Sequence, residues 1–295
     1  MKSFLGPIAI MVLVAFLVSP FVIHFGQKRR DRLEIAWTEV VPEGSLPGVA
    51  FGAGTAAVME HELEGFTGWR PNDLFFWGPT LLADNNASRQ LGILQALRET
   101  VRVFKDHLTK VSSDEYDKNL VEADNLLRND PEKWAFPSAE SRYRKAIEHL
   151  RAYVEGLQKN PPTSRPINAR NAELLRLMQA WTDLLGGGHA DLLREDIAWL
   201  QIDDAYYRVT GYCHVMAMLI PAVMIEYKNE LTSRPVLATL FQESQAPLER
   251  CDTMKPLIVL NGGDTSLLAN QRRNLDGYVT EARQKMYSIR DELEK

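Results

Sequence analysis

From Phe4 to Phe25 the chain has no Asp, Glu, Lys or Arg, and Leu, Ile, Val, Phe, Met and Ala dominate. As a helix, about 22 residues cover roughly 33 Å, enough to cross the hydrocarbon core of a bilayer. A cleaved signal peptide would have an apolar core of about 7–15 residues ending in a small-x-small site. Here the run is longer and passes through Gly26-Gln27 into Lys28-Arg29-Arg30. The expectation is an uncleaved anchor over residues 1–27, touching the lipid bilayer through residues 4–25. Pro7 falls in the first turn, where its missing N–H costs little. Pro20 falls inside, where membrane helices tolerate the kink.

The flanking charges pull in two directions. Lys2 precedes the run, whereas Lys28, Arg29, Arg30 and Arg32 follow it. Counted by the positive-inside rule, the remainder stays in the cytoplasm. A basic tip followed by an apolar run is also how exported proteins begin. With 34 Lys and Arg against 39 Asp and Glu, the net charge is −5 and there is no basic stripe beyond the juxtamembrane cluster. Nucleic acid is therefore not an expected partner. The two cysteines, Cys213 and Cys251, allow at most one bridge. Cys213 sits on an apolar stripe, which favours two unbridged thiols.

Beyond the anchor the spacing of apolar residues is helical almost throughout. Leu94, Leu97, Val101, Phe104, Leu108 and Val111 alternate three and four apart, which puts them on one face. The pattern recurs at Tyr143, Ile147, Leu150, Val154 and Leu157, and again at Leu174, Met178, Trp181 and Leu185. It is longest at Ile202, Tyr206, Val209, Cys213, Met216, Ile220, Val223 and Tyr227, and it closes the chain at Leu275, Val279, Ala282, Met286, Ile289 and Leu293. The predicted fold class is mainly α: a single N-terminal transmembrane helix followed by a multi-helix bundle. Residues 28–52 read as a juxtamembrane linker and 53–295 as the helical domain, with a sub-lobe break near 160–167. Pro161-Pro162 through Pro166 and Gly186-Gly187-Gly188 both read as breaks between helices. Ser138 is placed to cap the helix holding Tyr143, and Asp264 to cap the last one. Residues 74–82 and 256–260 read as short strands or extended loops.

The usual chemical motifs are weak. Gly52-Ala53-Gly54-Thr55-Ala56-Ala57 matches a loose dinucleotide pattern, but no strand–helix–strand alternation surrounds it, so a glycine-rich helix entry is expected. None of the six histidines has a second His three or four residues away. Glu60-His61-Glu62 and Glu64 read as a solvated helix face rather than a metal site. No nucleophile, base and oxyanion donor stand at recognisable spacing, so no catalytic residue, metal or cofactor is expected. Helix packing alone does not demand a further set of polar-aromatic clusters. They supply a candidate polar cleft of Asn72, Asp73, Asp84, Asn85, Gln201, Asp203, Asn261 and Asn270. Amides and carboxylates beside Trp and Tyr suit a sugar or a polar headgroup. The competing expectation is that these side chains cap helices and satisfy buried backbone.

The clusters are Gly68-Trp69-Arg70-Pro71-Asn72-Asp73, Asp84-Asn85-Asn86 with Gln90-Leu91-Gly92, and Trp134 with Pro137-Ser138, Glu140-Ser141 and Tyr143. Trp199-Leu200-Gln201-Ile202-Asp203-Asp204 follows, then Leu260-Asn261-Gly262 with Leu268-Ala269-Asn270. In this order they resemble a bacterial family of membrane-anchored proteins, domain-of-unknown-function family 2333, over about Gly65 to Leu293. The resemblance implies one N-terminal membrane helix and an envelope context, and supplies no mechanism. Members often carry a basic tail before the anchor, which implies a domain outside the cytoplasm; this chain has its basic residues after the anchor instead. The expected function is that of an inner-membrane, single-pass envelope protein with a periplasmic domain. It would act by interaction with an envelope protein partner, as a scaffold, adaptor or binding module. The alternative is a hydrolase or ligand-binding protein acting on an envelope polymer or lipid.

Overall fold

The computed structural model describes residues 2–28, 33–65, 67–73, 84–109, 116–194, 199–256, 259–260 and 270–295. These are helical in the main, with helices packed as a bundle and no strand among the described residues. The apolar N-terminal run is α1 (Lys2–Lys28), followed by the short α2 (Trp37–Val40). The bundle comprises α3 (Val49–Glu64), α4 (Asp84–Val103), α5 (Lys118–Leu127), α6 (Ala139–Gln158), α7 (Asn171–Leu193), α8 (Trp199–Glu226), α9 (Lys228–Ser233), α10 (Pro235–Thr253) and α11 (Gln271–Leu293). A π-helical turn, Phe104–Leu108, extends α4, with Thr109 N–H donating to the Phe104 carbonyl.

The apolar stripes become the core. Leu94, Leu97, Val101, Phe104 and Leu108 are buried, as are Tyr143, Ile147 and Leu150 and the α8 stripe from Ile202 to Tyr227. Buried side chains from α3 to α11 form one continuous cluster across the proline-rich break between α6 and α7. The segment Gln201–Glu226 of α8 is long and apolar enough to cross a membrane, but most of it is covered by neighbouring helices, as befits a central core helix. In α1 the apolar stretch Gly6–Ser19 instead leaves Ile8, Ile10, Met11, Val12, Leu13, Val14, Leu17 and Val18 exposed.

Two glycines set the closest helix contact. Helices α4 and α8 run parallel, with Ser88 against Asp204 and Gln95 against Tyr212. A methyl at Gly92 would lie 2.8 Å from the Arg208 carbonyl carbon, and one at Gly211 would lie 2.8 Å from Ile93 N. Only glycine lets these backbones approach so closely. The Gly52/Gly54 segment lies inside α3, where a side chain on either would collide with Val154 of α6 or with Trp37 and Leu219. The start of α3 is already occupied: Glu226 accepts from Gly48 N (2.6 Å) and Phe51 N (2.9 Å), where a phosphate would otherwise sit.

Some local expectations change. Gly186–Gly188 does not break the chain; α7 runs through it, because Gly188 fits against Val209 and Tyr212 where a side chain would clash. Ser138 does cap α6, accepting from Ser141 N (3.3 Å). The last helix begins at Gln271 with Asn270 as its cap, and Asp264 lies outside the described residues. Residues 74–82 also lie outside them. Leu260 bonds Gln271 through both backbone and side chain, so the chain after α10 returns to the start of α11.

Candidate functional site

The N-terminal ends of α4 and α8, the C-terminal ends of α3, α7 and α10, and the start of α11 meet at one end of the bundle. Most of the polar-aromatic clusters fall there because each flanks one of those helix ends. Three groups result.

The first is acidic. Asp84 opens α4, and Asp203 and Asp204 lie in the first turns of α8. Burial, then the charges of Asp203 and Asp204, push the Asp84 carboxyl up to about 7, against the pull of the N–H groups of Asp84 and Asn85. Burial and Asp204 also raise Asp203. Ser88, one turn into α4, donates to Asp204 Oδ1 at 2.6 Å, so its hydroxyl proton is committed. Tyr207 donates to the Pro256 carbonyl beside the cluster. A carboxyl that titrates near neutrality can give or take a proton at physiological pH.

The second group is a latch. Asn72 Nδ2 donates to Glu140 Oε2 (2.8 Å) and to the Lys133 carbonyl (3.2 Å). Asp73 pairs with Arg70, whose backbone N–H donates to Gln90 Oε1 (2.8 Å). Trp69 Nε1 donates to the Pro131 carbonyl (2.9 Å), its ring meets Tyr143 edge-on at 5.0 Å, and Tyr143 Oη donates to the Asn129 carbonyl (3.0 Å). The α5–α6 loop is thereby held at its base, yet Trp134 is 63% and Phe136 fully exposed.

The third is a buried charge network that the sequence reading missed. Glu62, expected on a solvated face, is fully buried and accepts from Arg89 Nη1 at 3.0 Å. Arg89 Nη2 lies 3.5 Å from Asp252, and His214 Nδ1 lies 3.0 Å from the same carboxylate. Burial would raise Asp252, but His214 and Arg89 with Lys255 outweigh it and hold the carboxyl well below the usual carboxylate range. Gln90 Nε2 donates to the Gly68 carbonyl (2.9 Å) and to Glu62 Oε2 (3.2 Å). Glu60 and Glu64, by contrast, face outward to Arg151 and Arg144. Next to the network, Cys213 and Cys251 are free, buried and in contact across α8 and α10.

Of the eight cleft candidates, Asp84 and Asp203 come together, and Asp204 joins them. Asn85 is buried in the first turn of α4. Asn72 and Asp73 belong to the latch. Gln201 is exposed at the start of α8, Asn270 accepts from Arg273 N (3.0 Å) as a cap, and Asn261 lies outside the described residues. Among the described residues no group of three His, Cys, Asp or Glu is disposed to hold a metal ion.

No curated protein and no solved structure matches the chain. The profile of domain-of-unknown-function family 2333, described as an uncharacterized protein conserved in bacteria, matches residues 7–194 and 188–295. With both matches spanning nearly the whole chain and the motif clusters within them, the protein belongs to this bacterial family.

Proposed function

We propose that the chain is a membrane-anchored bacterial envelope protein that acts by interaction, as a scaffold, adaptor or binding module. The observation that carries the anchor is α1. Ile8, Ile10, Met11, Val12, Leu13, Val14, Leu17 and Val18 are exposed around the helix, while α3 to α11 bury a core of their own without them. A helix apolar on all sides and uncovered by protein has a bilayer as its natural solvent. The interaction is supported by Trp134 and Phe136, large aromatic side chains held out on a braced loop, the type that dominates binding energy at protein interfaces. The domain faces the periplasm in this reading, against the charges at Lys28, Arg29, Arg30 and Arg32, since a long domain is translocated largely regardless of flanking charge.

Alkaline carbonate washing of bacterial membranes should leave the chain in the pellet; release of the intact chain would refute the anchor. An alkaline phosphatase fusion at Lys295 should be active and a green fluorescent fusion there dark. A partner crosslinked to the full-length protein in membranes should be lost from Trp134→Ala/Phe136→Ala, and its retention would move the contact elsewhere.

The acidic group supports a second reading, a hydrolase or ligand-binding protein acting on an envelope polymer or lipid. Asp84, titrating near 7 beside Asp203 and Asp204, would be the proton donor or acceptor. In that case Asp84→Asn and Asp203→Asn abolish function in cells while the protein stays folded. Loss of function that only tracks loss of stability would return both residues to a structural role.

A further inference from the structure

We propose that Cys213 and Cys251 are joined by a disulfide as the domain folds in the periplasm; the compartment, but not the pairing, rests on the topology proposed above. The two residues are the chain's only cysteines and come from different helices, α8 and α10. Both are fully buried, and their thiols hydrogen-bond each other. Contacts beside them fix this approach. His214 Nδ1, next in sequence to Cys213, lies 3.0 Å from Oδ1 of Asp252, next in sequence to Cys251. One turn along α8, Pro221 leaves the Ala217 carbonyl without its helical donor, and Gln245 Nε2 of α10 donates to it at 2.9 Å. Together these contacts hold the two helices antiparallel in a single register.

A position on an apolar stripe favours an unbridged thiol while its neighbour is unknown; here the neighbour is the other cysteine. Sulfurs already in contact need only a small adjustment of their side chains to bond. Other uses of the pair fit less well. A nucleophile needs access to solvent, which neither thiol has. A metal needs further ligands, and among the described residues no group of three His, Cys, Asp or Glu is disposed to hold one. Two thiols in contact are oxidised in an oxidising compartment and stay reduced in the cytosol.

The thiolate is the reacting form, and in the folded core burial and the Asp252 carboxylate both disfavour it at Cys213. The bond therefore forms before α10 closes over α8. The oxidant is a thiol–disulfide exchange protein of the compartment. One cysteine thiolate attacks the oxidant's disulfide, which gives a mixed disulfide and frees one oxidant sulfur. The second cysteine thiolate then displaces the other oxidant sulfur. The two protons lost by the cysteines end on the oxidant's sulfurs, and the two electrons reduce it to a dithiol. The new bond closes a loop of roughly 40 residues in the unfolded chain, long enough for the lost chain entropy to favour the fold. It also ties together the helices that carry His214 and Asp252.

Bacteria expressing the full-length protein should be quenched with acid, and the protein denatured and alkylated with a maleimide–polyethylene glycol, with and without prior reduction. The wild type should gain no polymer without reduction and two after it, and Cys213→Ser should gain one in both cases. A second measurement separates pairing from topology. The purified full-length protein in detergent is reduced, unfolded in urea and refolded in an oxidised-glutathione buffer. It should close the bridge, and its melting midpoint should lie roughly 5–10 °C above that of the reduced protein. Two free thiols after this refolding, or an oxidised protein that melts below the reduced one, overturns the pairing. Free thiols in cells beside an active alkaline phosphatase fusion at Lys295 overturn it as well. Free thiols beside an inactive fusion overturn the periplasmic reading, and oxidation in the cell with it.

Discussion

Replacing Asp84 with Asn should stabilise the protein at pH 8, and by less at pH 5. In the folded chain the Asp84 carboxyl is raised from an ordinary 3.8 to about 7 by burial and by Asp203 and Asp204. Folding therefore favours the protonated form. Between about pH 4 and 7 the folded state binds more protons than the unfolded one, so unfolding free energy falls as pH rises through that window. Stability linked to this group is fully present below pH 3.8 and lost as pH climbs through about 7. At 1.36 kcal/mol per unit, a shift of roughly three units is nominally about 4 kcal/mol. Asp84 is only half-buried, so screening by solvent cuts this to about 1–2 kcal/mol. The neutral amide that replaces the carboxyl in Asp84→Asn carries no such dependence.

Urea unfolding followed by tryptophan fluorescence, at pH 5 and pH 8, measures the difference directly. Shared titrations, such as that of Glu226, largely cancel when the variant is subtracted from the wild type. The wild type should lose about 1 kcal/mol more than Asp84→Asn on going from pH 5 to pH 8, because pH 5 already lies inside the titration window. A difference independent of pH, or a variant less stable than wild type at pH 8, would refute the electrostatic account of this cluster.

Three further outcomes follow from the packing. Gly211→Ala should cost about 3 kcal/mol in unfolding free energy, because the new methyl meets the α4 backbone at Ile93 N and backbone cannot swing aside. Glu62→Ala should cost on the order of 3 kcal/mol, since it strips a buried carboxylate from Arg89 and leaves Asp252 as its remaining ion-pair partner, 3.5 Å away; a cost under 1 kcal/mol in a thermal or urea melt would place Glu62 outside the core. The hydrogen bond with Cys251, then burial, push the Cys213 thiol up, so in the reduced protein Ellman's reagent should modify neither Cys213 nor Cys251 in the folded state and both once it unfolds.

The bundle was readable because a helix buries every third or fourth residue, and that period survives in a single sequence. Leu94 to Leu108 and Ile202 to Tyr227 needed no tertiary information to be placed on core faces. Gly186–Gly188 misled for the opposite reason. Glycine disfavours a helix locally, but the space that Gly188 leaves for Val209 and Tyr212 comes from an element twenty residues later. Glu62 was misread by its neighbours Glu60 and Glu64, which do face solvent. Its position relative to Thr55, Val58 and Met59 puts it on their buried stripe, and that spacing was the available signal. Arg89, Asp252 and His214 could not be joined to it from sequence, as they come from α4, α10 and α8. Asp84 and Asp203 stood out as polar residues at helix starts, but their mutual repulsion depends on α4 and α8 running parallel and in register.

That register connects the fold to the chemistry. Asp84 and Asp203 could relieve their repulsion if α4 and α8 moved apart, and the carboxyls would then return toward ordinary values. Two features oppose the movement. Gly92 and Gly211 bring the backbones together about two turns away, and Arg89, one turn beyond the cluster, is tied to carboxylates on α3 and α10. The segment from Asp84 to Gly92 thus supplies the titrating group, the hydroxyl that binds Asp204, the buried cation and the close-approach glycine within about three turns. Widening the α4–α8 contact should consequently move the proton as well as lower stability. In Gly211→Ala the pH-dependent stability difference attributed to Asp84 should shrink, because the added methyl separates the helices that hold the carboxylates together. If the variant unfolds more easily but keeps the full pH dependence, the glycine contact supports the fold without setting the charge state of the acidic cluster.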